Sequence, residues 1–254
     1  MATIPREALD YVTREINGVS AEAQAEVMRV LERIDWTDIT AAREIVVQAV
    51  QMALANATTL AAQASADFYD AARALVVGER MGAKAISDYD PAKTAGAVRG
   101  FVRFVLRDDV QTFNDQVLQR IDYEMKRSAN MSVVENGRRD PKSVRYARVP
   151  TGAETCDFCL MLASRGFVYQ SEGTAGAGRT HCACDCRCVP GWDGMEVEGY
   201  DPRSIYDRWQ DAIDAKAKER AERRGTTVSE ERAAIMAAYG RAAKNAKRAG
   251  RKSA

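Results

Sequence analysis

The sequence has few aromatic residues and only one histidine, whereas alanine is frequent. Aromatic residues make up 7% of the 254 residues. Strands are enriched in aromatic and β-branched residues and alanine is the best helix former, so the composition favours a mainly helical fold over a β-sandwich. The formal net charge is only +1. The protein as a whole is therefore not a polycation, and any affinity for nucleic acid has to come from a local patch.

The sequence also lacks a long apolar run. No segment contains 18 uncharged apolar residues in succession, which argues against a membrane-spanning helix. The opening residues, MATIPREALDYVTREI, are charged and lack the apolar core of a secretory signal. We therefore expect no membrane contact and folding in a reducing cytoplasm. There, clustered cysteines are more often metal ligands than disulfides.

Apolar residues at helical spacing dominate residues 5 to 139. A first helix is predicted to begin at Pro5, and a long alanine-rich helix follows the turn at residues 35–38. Asp90-Pro91 starts another helix, because aspartate caps helices and proline suits the first helical position. The pattern predicts an N-terminal helical bundle over residues 1–140. Its expected core positions are Ile16, Val19, Ala23, Val27, Val30, Leu31, Ile34, Val98, Val102, Val105, Val110, Phe113, Val117, Leu118 and Ile121.

The composition changes at Asn136-Gly137, where the basic stretch RRDPKSVRYARVPTG begins. We place a domain boundary near residue 140, followed by a small α+β, cysteine-rich module over residues 141–200. Val144 and Tyr146 are expected on a short strand that leads into it. The basic side chains belong either to a solvated linker, which we favour, or to a surface that contacts DNA phosphates. They are Arg138, Arg139, Lys142, Arg145 and Arg148.

The C-terminal region is predicted to hold two helices over residues 201–240 and a basic tail over residues 241–254. Asp201-Pro202 starts the first helix, Gly225 ends it, and Thr227 to Glu230 form a capping box for the second. The tail contains no acid, so it either binds a polyanion such as DNA or merely aids solubility. Its candidate nucleic-acid-binding residues are Arg241, Lys244, Lys247, Arg248, Arg251 and Lys252.

All six cysteines and the only histidine lie within residues 156–188. Structural zinc sites take four thiolate or imidazole ligands, commonly from pairs at short spacing. Cys156-Asp-Phe-Cys159 has that spacing, and His181-Cys-Ala-Cys184 has the same i, i+3 separation. The pattern predicts a structural zinc site, because thiolates outnumber other ligands and no acidic base has a recognisable spacing. The candidate metal ligands are Cys156, Cys159, His181, Cys184 and Cys186.

The ligand set is ambiguous, because the segment supplies more than four ligand-type residues. Cys182, Cys184, Cys186 and Cys188 alternate, so in a strand they would share one face and leave His181 on the other. Cys184 with Cys186, or Cys182 with Cys184, could then bind without histidine. A turn at residues 181–184 would instead bring His181 and Cys184 together, and we favour the turn. Cys182 and Cys188 are then spare thiols.

Enzymatic interpretations of this segment are weaker. His181 could activate a cysteine nucleophile, but nothing resembling a nucleophile elbow surrounds it. The glycine-rich GTAGAG stretch lacks both the Lys-Ser/Thr ending of a P-loop and the spacing of a dinucleotide-binding loop. We interpret it as a flexible loop.

The segments ARVPTGAETCDFCLMLASRGFVYQS and HCACDCRCVPGWDG resemble the phage Mu F-like, or head-morphogenesis, family of minor head proteins of tailed bacteriophages, particularly in phages of actinobacteria. The family pattern is roughly T-C-x-F-C-x-x-L-A-S-R-G-x-x-Y, a loop, then H-x-x-C-x-C and V-P. The resemblance covers residues 147–194, and Cys182 and Cys188 depart from it as extra thiols. The matching positions are Thr155, Cys156, Phe158, Cys159, Leu162, Ala163, Ser164, Arg165, Gly166, Tyr169, His181, Cys184, Cys186, Val189 and Pro190.

This resemblance implies a structural role in head assembly or DNA handling. Members of the family are built into the head in few copies. The partners that the resemblance implies are the portal protein, the major capsid or scaffold protein and packaged double-stranded DNA. The implied location is the virion, at the capsid interior or portal vicinity, and the host cytoplasm during assembly. Some relatives are described as capsid maturation proteases, and for that alternative Cys156, Ser164 and His181 are the candidate residues. A zinc-ribbon DNA-binding module is a third hypothesis.

Overall fold

The computed structural model describes residues 2–152, 155–171, 173 and 185–250, with side chains described as far as Arg241. Within these residues the protein is mainly helical, as the composition predicted. The helices are α1 (Arg6–Leu31), α2 (Ile39–Val77), α3 (Pro91–Val105), α4 (Val110–Arg139), α5 (Asp157–Ala163), α6 (Pro202–Arg224) and α7 (Val228–Gly250). The strands are β1 (Ala2–Ile4), β2 (Arg145–Pro150), β3 (Cys186–Gly191) and β4 (Met195–Val197).

The first four helices form a bundle in which α2 packs on α1, α3 and α4. Side-chain caps begin three of them: Asp38 accepts from the N–H of Ala41, Asp90 from that of Ala92, and Asp109 starts α4 in the same way. Most of the expected core positions are buried, and the others are half-buried at the edge of the core. The predicted bundle is therefore confirmed as a set of packed helices.

The helical region is interrupted between Val77 and Pro91, and the next helix begins at the predicted Asp90-Pro91 start. Gly78 ends α2 with φ at 95°, a conformation that favours glycine. Side chains then replace helical hydrogen bonds: Asp70 accepts from the N–H groups of Met81 and Ala83. The amide of Asn136 on α4 pairs with both the N–H and the carbonyl of Lys84. The segment is thus held by side chains of both α2 and α4.

Two small sheets join distant parts of the chain. β2 pairs with β3 in antiparallel register, so that Arg148 lies opposite Cys188 and Pro150 opposite Cys186. β1 pairs with β4 in parallel. The expected strand near Tyr146 is confirmed as β2, and one isolated antiparallel bridge joins Tyr146 to Tyr169.

The basic stretch is not a uniform solvated linker. Arg138, Arg139, Lys142 and Arg145 are exposed, but Arg148 lies at the centre of β2 and is only 1% exposed. The linker interpretation and the phosphate-contact interpretation are both wrong for Arg148, because pairing of β2 with β3 buries its side chain. One hydrophobic core continues from the bundle into β2, β3, α5 and α6. The division into domains at residues 140, 200 and 240 stays a prediction.

The C-terminal helices follow their predicted start and stop signals. Asp201 caps α6, Gly225 ends it with φ at 68°, and Thr227 and Glu230 exchange the two hydrogen bonds of a capping box. Helix α7 runs to Gly250, about three turns beyond its predicted end at residue 240. By length and composition α2 alone among the described helices could cross a membrane, and half of its most apolar window is buried in the fold.

A buried carboxylate connects the bundle to the strand region. Asp140, at the end of α4, accepts hydrogen bonds from Tyr69 Oη at 2.8 Å, Arg73 Nε at 2.9 Å and Trp192 Nε1 at 3.3 Å. The side chains of Asp140 and Arg73 are 0% and 1% exposed. Burial alone would raise the pKa of this carboxyl, but the bonds from Arg73, Lys142 and Tyr69 hold that pKa below its ordinary value. The carboxylate therefore stays ionised and ties α2 to the end of β3.

Replacing Asp140 by asparagine should lower the free energy of unfolding by about 3 kcal/mol, because it removes the buried counter-charge of Arg73 and leaves only the exposed carboxylate of Glu79, 3.5 Å from the guanidinium. Urea denaturation followed by circular dichroism measures this. The matched control is Asp214→Asn, which breaks the exposed ion pair with Arg232 and should have a much smaller effect.

The same carboxylate predicts an acid dependence. Because its folded-state pKa is lowered, its stabilisation is present at neutral pH and is lost as the pH falls below the ordinary carboxyl range and through the folded-state pKa. The Asp140→Asn variant should lose that part of the acid dependence. Equal stability of variant and wild type at pH 7 would contradict this account.

Candidate metal centre

Three of the predicted metal ligands lie within the described residues: Cys156, Cys159 and Cys186. His181 and Cys184 lie outside them, as does Cys182, so the choice between a turn and a strand at residues 181–184 stays open. In the described part of the chain, no three Cys, His, Asp or Glu side chains form a group that could hold a metal ion.

Cys156 and Cys159 are positioned by the start of α5. Cys156 is the N-cap residue, in extended conformation, and its Sγ accepts from the N–H of Cys159 at 3.4 Å. The C-x-x-C spacing therefore spans the first turn of the helix. Cys156 is exposed, whereas Cys159 is only 2% exposed.

Cys186, at the first position of β3, meets this turn. Its Sγ lies 3.1 Å from Cys159 Sγ, and the two residues form a small buried cluster of their own beside the main core. Because β3 pairs with β2, the register of that ladder sets the position of Cys186 against α5. Two segments 27 residues apart in sequence thus place two thiols in direct contact.

A buried cation lies against this thiol pair. Arg148 Nη2 donates to Cys186 Sγ at 2.8 Å and to the Cys186 carbonyl at 3.2 Å. Arg148 thus brings a buried positive charge into direct contact with one of the two sulfurs. This role was not predicted, because the neighbouring cations Lys142 and Arg145 are exposed and Arg148 was grouped with them. The available signal was its position on the predicted strand, where it shares a face with the apolar residues Val144 and Tyr146.

Asp185 holds the loop before α5 against the start of β3. Its carboxylate accepts from the N–H of Gly152 at 3.2 Å and from Thr155 Oγ1 at 2.8 Å, and its carbonyl accepts from the N–H of Thr151. A Cβ at Gly152 would come within 2.7 Å of Asp185, so only glycine permits this approach. These contacts place Cys156 and Cys186 on adjoining segments. The role of Asp185 was not predicted from the sequence.

Cys188 takes no part in the cluster. It lies in the main core, and its N–H donates to Asn130 Oδ1 at 2.9 Å. Burial raises the pKa of the Cys188 thiol to about 12. Its exclusion from the predicted ligand set therefore agrees with its position.

The structure does not bring the described protease candidates together. Ser164 is the C-cap of α5 and donates to the Met161 carbonyl, whereas Cys156 begins the helix, roughly 12 Å away along its axis. His181 lies outside the described residues. Among the predicted nucleic-acid-binding residues, Arg241 is exposed on α7. Positions 244, 247 and 248 fall in the helical backbone of α7, and Arg251 and Lys252 lie outside the described residues.

We expect Cys188→Ala to leave the number of fast-reacting thiols in the native protein unchanged, because Cys188 is buried and its thiol is protonated at neutral pH. Titration with a thiol reagent at pH 8, with and without denaturant, measures this. The count in denaturant should fall by about one. A lower native count in the variant would show that Cys188 is accessible and contradict its assignment to the core.

Comparison with known proteins places the chain in a phage family. A family model described as VG15 protein matches residues 3–212. The Gene 15 protein of Mycobacterium phage D29 is 35% identical in an alignment that covers 28% of this chain and 38% of that relative. The matched region is thus well under two thirds of that relative's length. No solved structure matches the chain. Neither description names an activity. Because the family match spans most of the chain, including α5 and β3, the chain belongs to the VG15 family of bacteriophage proteins.

Proposed function

We propose that this protein is a minor capsid, head-morphogenesis protein of the Mu F-like type, acting near the portal and inner capsid. Membership of a phage family supports the broader role. The observation that carries the proposal is the contact between Cys159 and Cys186, which joins α5 to β3 beside the buried Arg148. Such an arrangement suits a structural cross-link, and it falls within the segment that resembles the Mu F-like family.

The cross-link we propose is a structural zinc ion. Cys156, Cys159 and Cys186 would supply thiolates, and His181 or Cys184 would complete a four-ligand set. Thiolates are soft ligands that suit zinc, and thiolate-rich tetrahedral sites are structural far more often than catalytic. When bound, zinc would supply a cross-link between α5 and β3, and its binding energy would add to folding stability.

Arg148 has a definite role in this proposal. Three thiolates and one imidazole carry one more negative charge than zinc neutralises, and four thiolates carry two more. A buried site with that excess needs a nearby cation, which the guanidinium of Arg148 supplies at 2.8 Å from Cys186 Sγ. The direct bond to a ligand sulfur also fixes the orientation of that ligand, as contacts around metal sites commonly do.

The cluster also bears on how the C-terminal helices are held. Asp157, the residue after Cys156, accepts from Lys216 Nζ of α6 at 3.1 Å and from Tyr239 Oη of α7 at 3.3 Å. Zinc at the cluster would fix α5, and through Asp157 it would restrain the middle of both α6 and α7. We propose that the cationic end of α7 is thereby directed toward packaged DNA, because no acid follows Arg241.

Co-expression with the portal protein of the same phage tests the head-assembly role. Affinity capture of the portal should recover wild-type protein, and Cys159→Ser should reduce recovery by at least about tenfold, because the cross-link orders the module. Cys188→Ala, which changes a cysteine outside the cluster, should bind normally. Normal recovery of the Cys159→Ser variant would contradict the proposal.

Two further measurements separate the alternatives. Cleavage of co-expressed capsid or scaffold protein that stops on a single nucleophile substitution would support the protease hypothesis instead. Deletion of residues 241–254 should leave portal recovery intact but weaken binding to double-stranded DNA and flatten its salt dependence. Unchanged DNA binding after the deletion would remove DNA contact from the proposed role.

A further inference from the structure

One face of α2 is exposed and without charge, and its exposed apolar side chains are interspersed with the uncharged polar side chains of Gln48, Asn56, Thr59 and Gln63. From Ile45 to Ala66 the helix contains no charged residue, a length of about 33 Å. Met52 on this face is 77% exposed and Leu60 is 56% exposed. An exposed stripe of this kind is uncommon on a helix that faces water, where charged residues normally cover the outer side.

A groove lies beside the stripe, between α1 and α2. It has a volume of about 620 Å³, and its walls include Tyr11 and Val12 of α1 and Leu60 and Phe68 of α2. Tyr11 is itself 59% exposed. The groove is mostly apolar, although Glu15, Asp67 and Arg80 also line it, and it offers a recess beside the stripe for a side chain from another molecule.

We propose that this face is a self-association surface, on which α2 of a second copy packs in antiparallel orientation about a two-fold axis near Asn56. Met52 and Leu60 lie four residues on either side of Asn56. In a two-fold contact the same patch meets itself, so Met52 of one copy lies level with Leu60 of the other. The uncharged stretch of α2 also has its midpoint near Asn56. In this pairing the start of the stretch in one copy therefore lies opposite its end in the other.

The charges at the two ends favour the antiparallel arrangement. Near the start of the stretch, Arg43 and Arg99 both donate to Glu44, a group with one more cation than anion. At the other end Asp67 is exposed and accepts from Gln63. Antiparallel pairing brings Asp67 of one copy toward the Arg43 group of the second copy. Parallel pairing would instead place like charges together.

The available area suits a modest dimer interface. A strip about 33 Å long and two helices wide, at about 10 Å per helix, covers roughly 700 Å² on each copy. Stable protein interfaces typically bury about 800 Å² per partner. This contact is independent of the proposed head role and of metal binding.

Sedimentation of the full chain over about 1–100 µM tests the proposal. Wild type should show a reversible monomer–dimer equilibrium, and Met52→Lys or Leu60→Glu should each weaken it by at least about tenfold. The double variant should recover dimerisation, because each new ammonium group then lies level with a new carboxylate of the second copy. The two positions are about 12 Å apart on one helix, so they cannot pair within a chain.

Leu106→Glu is the matched control, since Leu106 is 66% exposed but lies at the end of α3, away from the stripe. It should leave dimerisation unchanged, and circular dichroism should show full helicity in every variant. A monomer at all concentrations, no recovery in the double variant, or binding of anionic phospholipid vesicles through Met52 and Leu60 would overturn the proposal.

Discussion

The hydrogen bonds that converge on Asp140 set the position of everything that follows the helical bundle. This buried carboxylate accepts from Tyr69 and Arg73 on α2 and from Trp192 after β3. Because α4 ends at this point and β2 begins five residues later, the ion pair fixes where the β2–β3 ladder leaves the bundle. The ladder in turn determines where Cys186 meets α5. A site built from distant segments therefore depends on an ion pair in the core.

Within the described residues, the contact between Cys159 and Cys186 joins α5 to β3. This thiol pair is buried, braced by Asp185 and Arg148, and coupled through Asp157 to the C-terminal helices. Each of these contacts restrains the backbone. This is the physical basis for proposing a structural role within a phage family whose description names no activity.

Local signals in the sequence predicted much of the fold, whereas the pairing of distant segments could not be predicted from local sequence. Helix caps at Asp90 and Asp201 and the C-x-x-C turn at Cys156 act within a few residues, so spacing alone revealed them. The burial of Arg148 follows from pairing with a strand some 40 residues later, and its neighbours in sequence are exposed cations. Residue type therefore suggested a linker where the fold places a buried cation. The position of the segment after Gly78 depends in the same way on a distant residue, because Asn136 on α4 binds the backbone of Lys84.

Metal content tests the central claim of a zinc cross-link most directly. Elemental analysis of freshly purified protein should find about one zinc per chain in the wild type and in Cys188→Ala, and much less in Cys159→Ser. Loss of zinc in His181→Ala would assign the histidine as a ligand, and its retention would move the site onto the alternating cysteines. Wild-type protein without metal, or zinc retained in Cys159→Ser, would contradict the account.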